Sequence, residues 1–139
     1  MASFAFNNLL DDAFKGNLLA TDIYYVMLTT SVYVPDQDTH TKRSDVTNEV
    51  VGTGYTAGGL ALVPTFTKDL TNNRVQIVFP AVSWPTSTIT ARRAVYYKRR
   101  GGLATADELI AQNDFVADVA TTAATFSLAA TTININTPI

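Results

Sequence analysis

The run IYYVMLTTSVYV, residues 23–34, is almost unbroken in β-branched and aromatic side chains. Such a run favours extended backbone, and with apolar residues on both faces it predicts a strand buried on both sides and stopped by Pro35. Most of the remaining chain repeats the extended pattern. LALVPTFTKDL and RVQIVFPAV flank an Asn72-Asn73 turn and read as a hairpin. Ile89 to Lys98 reads as a strand closed by Gly101-Gly102, and LIAQNDFVADV, ATFSLAA and TTININ read as three more. Seven or eight strands between turn signals, without alternating helices, predict an all-β fold: an antiparallel, jelly-roll-like β-sandwich.

One short helix is expected ahead of the strands. In FNNLLDDAFKGN, Leu9, Leu10, Ala13 and Phe14 fall at helical spacing, Asn7 or Asn8 stands at the cap, Asp11 and Asp12 suit the first turn, and Gly16 ends it. The 139 residues suit one domain, with residues 1–18 as a helical N-terminal segment and residues 131–139 as a possible C-terminal arm. The arm reading comes from Ile133 and Ile135 alternating with polar residues, a pattern suited to an open edge on a neighbouring subunit. Phe4 and Phe6, with Leu9, Leu10 and Phe14, give the N-terminus an apolar face to dock. Packing inside the same subunit is the equal alternative for both ends.

With zero cysteines, thiol nucleophiles, thiolate-ligated zinc and disulfides are excluded. Apolar runs such as Ile23 to Leu28 are too short for a membrane helix, and the N-terminus lacks the pattern of a secretory signal. A formal charge of −2 predicts no bulk attraction to nucleic acid or to an anionic membrane. Neither partner is expected.

His40 is the only histidine, and no nucleophile motif accompanies it, which argues against a catalytic triad. Asp36, Asp38 and His40 alternate, with Asp45 or Glu49 nearby, the pattern of an oxygen-rich cation site; carboxylates closing local turns are the commoner use of this pattern. Four of the seven glycines lie in VGTGYTAGG, residues 51–59. Leu60-Ala61-Leu62 follows them where a phosphate loop needs Lys and Ser/Thr, so bends and close chain approach are the better reading. No cofactor and no enzyme activity are expected.

Arg92, Arg93, Lys98, Arg99 and Arg100 hold half of the ten basic residues, and no acidic residue lies between Asp69 and Asp107. On a strand the charge is split: Arg93, Val95, Tyr97 and Arg99 share one face, while Arg92, Ala94, Tyr96, Lys98 and Arg100 share the other. Tyrosines interleaved with arginines are one way to hold single-stranded nucleic acid. The acidic chain favours a different use, in which Val95 and one tyrosine face the core and the basic residues meet acidic groups of this chain or a neighbour. These five residues are therefore candidate interface positions.

The segment VYVPDQDTHTKRSDVTNEVVGTGYTAGGLAL, preceded by a helix and DIYYVMLTT, resembles a group of small virion proteins encoded by tailed bacteriophages. The likeness is sharpest from Thr21 to Gly59 and extends to Trp84 through Thr88, Thr90 and Arg92. It implies a structural part of the particle, a capsid decoration or cement protein made in the host cytoplasm and carried on the outer surface of the head. It also implies two partners, the major capsid protein and the chain itself, as a homotrimer in preference to a homodimer. No active site is carried over by the resemblance. A tail or baseplate component is the first alternative, and a sugar-binding sandwich with Trp84, Tyr96 or Tyr97 as stacking platforms is the second.

Overall fold

A computed structural model describes residues 2–136. In chain order its elements are β1 (Phe4–Ala5), α1 (Asn8–Phe14), β2 (Tyr24–Thr29), β3 (Leu60–Leu62), β4 (Thr65–Asp69), β5 (Arg74–Phe79), β6 (Val82–Ser87), β7 (Thr90–Lys98), β8 (Leu109–Ala120), β9 (Ala124–Leu128) and β10 (Thr131–Asn136). Short 3-10 turns occur at Arg43–Asp45 and Ala104–Ala106. The fold is all-β and antiparallel, as the strand pattern predicted, with one short helix near the N-terminus.

Five strands form the main sheet in the order β1-β8-β7-β2-β3. The central strand is β7, which pairs with β2 from Lys98↔Tyr24 to Arg93↔Thr29 and with β8 on its other side. A second layer consists of β10-β5-β4 and β6-β9. Tyr24, Val26, Leu28, Ala94 and Tyr96 meet Ile77, Phe79, Trp84, Phe126 and Leu128 of this layer in the main core. Phe79 stacks on Tyr96 with centroids 4.4 Å apart, and Trp84 meets Phe126 edge-on.

The opposite face of the main sheet is also covered. Met27, Val95, Tyr97 and Leu109 pack there against Phe6 and Tyr33, with Phe4, Tyr25 and Val46 around them. The covering layer is thus the long connection after β2, joined by Phe6 just beyond the edge strand β1. That connection is a packed structural layer as well as a surface loop, held by Arg43 N–H donating to the Asp107 carbonyl (2.8 Å) and Leu109 N–H to that of Thr41 (3.0 Å).

Several sequence expectations need correction. The strand read through Val34 ends at Thr29, where Thr30 N–H turns away to the Asn48 carbonyl. The N-terminal segment is not simply helical, because β1 pairs with β8 at Phe4↔Gln112 and Ala5↔Ala111. Up to Asn136 the proposed C-terminal arm is a strand of this subunit, paired with β5 from Thr131↔Phe79 to Asn136↔Arg74; the rest of that arm, residues 137–139, lies outside the described residues. Ile133 and Ile135 are half-buried against the main core.

The glycine cluster does mark a close approach. Gly59 has φ +80°, and a Cβ placed there would lie 1.8 Å from the Val26 carbonyl oxygen. Only glycine lets the chain enter β3 at this distance from β2.

Candidate functional site

Because β7 is central, its basic residues cannot form an open groove. Arg92 Nε binds Asp114 Oδ1 at 2.8 Å, and Arg93 Nη2 lies 3.7 Å from Asp114 Oδ2. Arg93 Nη1 also donates to the Tyr33 carbonyl at 2.7 Å. Lys98 Nζ reaches Asp22 Oδ2 at 2.8 Å and the Asn17 carbonyl at 2.6 Å. Arg100 grips Glu108, with Nη2 2.7 Å from Oε1. Arg99 lies over the Tyr25 ring at 4.6 Å. The acidic partners therefore belong to this chain, and Arg93 and Lys98 are buried. As interface candidates, these two are corrected to internal anchors.

Arg43, which the sequence did not single out, completes this network. Its Nε sits 2.7 Å from Asp107 Oδ2, while Asp107 Oδ1 accepts the Arg100 N–H at 2.8 Å. For Asp22, Glu108 and Asp114, burial works to raise the pKa, but hydrogen bonds from Lys98, Arg100 and Arg92 respectively, with nearby positive charge, hold each below its ordinary value.

The aromatic platforms are likewise internal. Trp84, Tyr96 and Tyr97 are buried, so none can stack on a sugar; both tyrosines, rather than one, face core layers on opposite sides of β7. Tyr97 Oη donates to the Gly58 carbonyl at 2.6 Å, and burial pushes its pKa up to about 12.

Asp36, Asp38 and His40 build a turn. Asp36 Oδ1 accepts the N–H groups of Asp38 (2.9 Å) and Thr39 (3.0 Å), and these backbone bonds hold its pKa low. His40 Nδ1 and Tyr33 Oη are hydrogen-bonded at 3.0 Å, and Asp38 accepts from Asn7 Nδ2. Asp45 binds the N–H groups of Thr41 and Lys42, and Glu49 binds Tyr55 Oη and Gly58 N–H. Among the described residues, no group of three or more His, Asp or Glu side chains is arranged to hold a metal ion. The cation reading gives way to local turn closure.

The most informative surface is α1, which is inverted. Its apolar spacing left docking on a neighbour and packing inside the subunit as equal alternatives; of Leu9, Leu10, Ala13 and Phe14 only Leu9 is buried. Asp12 points inward, 8% exposed, and accepts from Asn8 Nδ2 (2.7 Å) and Asn17 Nδ2 (3.1 Å). Asn8 reaches on to the Leu109 carbonyl at 3.2 Å. This polar anchor fixes the rotation of the helix and turns Leu10 (45% exposed) and Phe14 (89% exposed) to solvent. Of the two N-terminal phenylalanines expected to dock, Phe6 is buried and Phe4 half-buried within the subunit.

Next to the ridge lies a groove of about 320 Å³ between α1 and β10, lined by Leu9, Leu10, Ile133 and Ile135 among others. It adjoins a smaller apolar cavity of about 60 Å³ that shares Leu9 and Ile135 and is closed by Ala13 and Phe66. A second protrusion, which the sequence did not single out, is Val116. It has φ +71° in a bulge of β8 where Arg92 faces Phe115 to Asp118, and its N–H donates to Asp114 Oδ1 at 2.8 Å. A β-branched residue at positive φ stores roughly 1–3 kcal/mol of strain. Its type gives no warning of that conformation.

Among the described residues, no helix is long and apolar enough to cross a membrane. Comparison with protein-family models, with curated proteins and with solved structures finds no match.

Proposed function

We propose that this chain is a non-enzymatic structural subunit of a tailed-bacteriophage particle, a decoration or cement protein that binds the outer surface of the capsid lattice and stabilises the head. The observation that carries this reading is the inverted helix. Asp12 and Asn8 face inward while Leu10 and Phe14 face outward, an arrangement that leaves apolar area exposed in the isolated subunit and rewards contact with another protein surface. The resemblance of Thr21 to Gly59 to small virion proteins supplies the particle.

On this reading the product of the chain is burial of surface. The proposed partners are the major capsid protein and further copies of the chain, and its place is the capsid exterior. Each contact needs only modest affinity, because attachment at several lattice points raises the effective concentration of the rest. The shell is stabilised to the extent that the bound form is favoured over the free one. Cation and nucleic-acid chemistry play no part in the proposal, and sugar stacking drops out because its three platforms are core residues.

The test is cosedimentation of the purified chain with expanded, undecorated heads of the phage that encodes it. Saturable binding to heads and a raised temperature of head disruption are the expected results. Recovery with isolated tails and not with heads moves the protein to the tail or baseplate, and binding to neither rejects the reading.

A further inference from the structure

We infer that α1 and the groove beside it form a two-fold, self-complementary contact with a second copy of this chain. This deepens the assembly reading above by naming its self-contact, and its test needs no viral shell. Two features place knob and hole side by side. Phe14 projects from the last turn of α1, and the groove between α1 and β10 opens one turn away at Leu10. Its volume of about 320 Å³ is ample for one aromatic ring.

In an isologous contact, residue i of one copy meets residue j of the other and the reverse holds as well. Antiparallel packing of α1 on its symmetry mate, with the axis near Asp12 and Ala13, sets Leu10 against the partner's Phe14. Each Phe14 then enters the other copy's groove against Leu9, Ile133 and Ile135.

Charge selects this orientation. Asp11 and Lys15 lie one helical turn apart and form an exposed pair at 2.7 Å, with the same spacing as Leu10 and Phe14. In the antiparallel arrangement Asp11 comes to the partner's Lys15, and Lys15 to the partner's Asp11, giving an alternating quartet. A parallel arrangement sets like charges together.

Area agrees with this assignment. Leu10, Phe14 and Phe66, 45%, 89% and 40% exposed, together expose roughly 350–400 Å², within the range of the largest and often functional apolar patch on a monomer. That is about half of what one side of a standard interface buries. The polar rim of the groove, with Gln37, Asn134 and Asn136, provides more. The geometry favours a two-fold pair over the three-fold expected from sequence.

Sedimentation velocity of the full chain over a concentration series is the test. A dimer is expected, with a dissociation constant below about 100 μM. Phe14→Asp leaves the monomer folded, since that side chain is exposed, and weakens the dimer at least 100-fold. Asp11→Lys or Lys15→Asp alone sets like charge against like and weakens it about tenfold, while the double exchange D11K/K15D restores both the intrahelical and the cross-copy pairs and with them the wild-type constant. Melting curves separate any effect on folding. A monomeric or trimeric wild-type chain, a dimer indifferent to Phe14→Asp, or a double exchange that fails to restore association overturns the contact. Intact dimerisation with no binding to heads leaves the contact standing and removes the capsid reading alone.

Discussion

Replacing Gly59 by Ala tests how tightly β3 is laid against β2. A Cβ at this position would stand 1.8 Å from the Val26 carbonyl oxygen, 2.6 Å from its carbon and 2.8 Å from the Met27 Cα. All three are main-chain atoms, so no rotamer change relieves the clash, and β3 has to move away. The backbone penalty for Ala at φ +80° is about 1 kcal/mol. Moving β3 breaks the pairs Tyr24↔Leu62, Tyr25↔Ala61 and Val26↔Leu60 and uncovers Leu62, whose burial contributes about 1.5–3 kcal/mol. The expected loss is about 3–4 kcal/mol, a large share of the ~5–15 kcal/mol that holds an ordinary domain folded. Gly16→Ala is the control: φ is +78° there too, but nothing lies within 4 Å, so only the ~1 kcal/mol backbone penalty applies. Urea unfolding followed by fluorescence of Trp84, the only tryptophan, measures both, and Gly59→Ala also lowers the thermal midpoint by roughly 10 °C. Equal losses for the two variants would refute the argument from close approach.

Asp107→Ala leaves Arg43 and the Arg100 N–H without their carboxylate; a loss of about 2–4 kcal/mol in urea unfolding is expected, and Arg43→Met combined with it recovers part of that loss. On acidification, Asp22, Glu108 and Asp114 bind protons later in the fold than in the unfolded chain, because each is held below its ordinary value of 3.8 or 4.5. The stability they contribute is present above those values and lost as pH falls through and below them, so a melting-temperature profile should drop below about pH 4.5. Tyr24 and Tyr97 behave in the opposite sense, their pKa raised from 10.0 to about 12 mainly by burial. The unfolded chain ionises them first, so stability falls as pH rises from 10 to 12; burial also raises Tyr33, Tyr55 and Tyr96, so a tyrosinate titration of the native protein should leave most of its phenols un-ionised well above pH 10.

Much of the fold is written in local pattern. β-Branched and aromatic density marked β2 and its burial on both faces, the Asn72-Asn73 turn marked the β4–β5 hairpin, and alternation on β7 correctly divided Val95 and Tyr97 from Ala94 and Tyr96. What local pattern does not carry is the identity of distant partners. Arg92 is answered by Asp114 and Arg43 by Asp107, so whether a basic run meets acidic groups of its own chain or of a neighbour is set by the fold: Arg93 and Lys98 are buried here, while Arg99 and Arg100 are exposed. The rotation of α1 was hidden for a related reason. Periodicity identifies the apolar side of a helix but not whether that side meets its own core or another surface, and here Asn8 and Asp12 bind inward to Leu109 and Asn17. Thr30 to Val34 has strand-like composition, but the pull of Asn48 on the Thr30 N–H ends the strand early.

An electron cryomicroscopy map of the intact virus, detailed enough to trace this chain, bears most directly on whether it acts by joining protein surfaces on a viral head. Density for the chain is expected on the outside of the capsid lattice, with Leu10 and Phe14 covered by another protein surface. A mature particle without the chain, or one carrying it only in the tail or with α1 open to solvent, contradicts it.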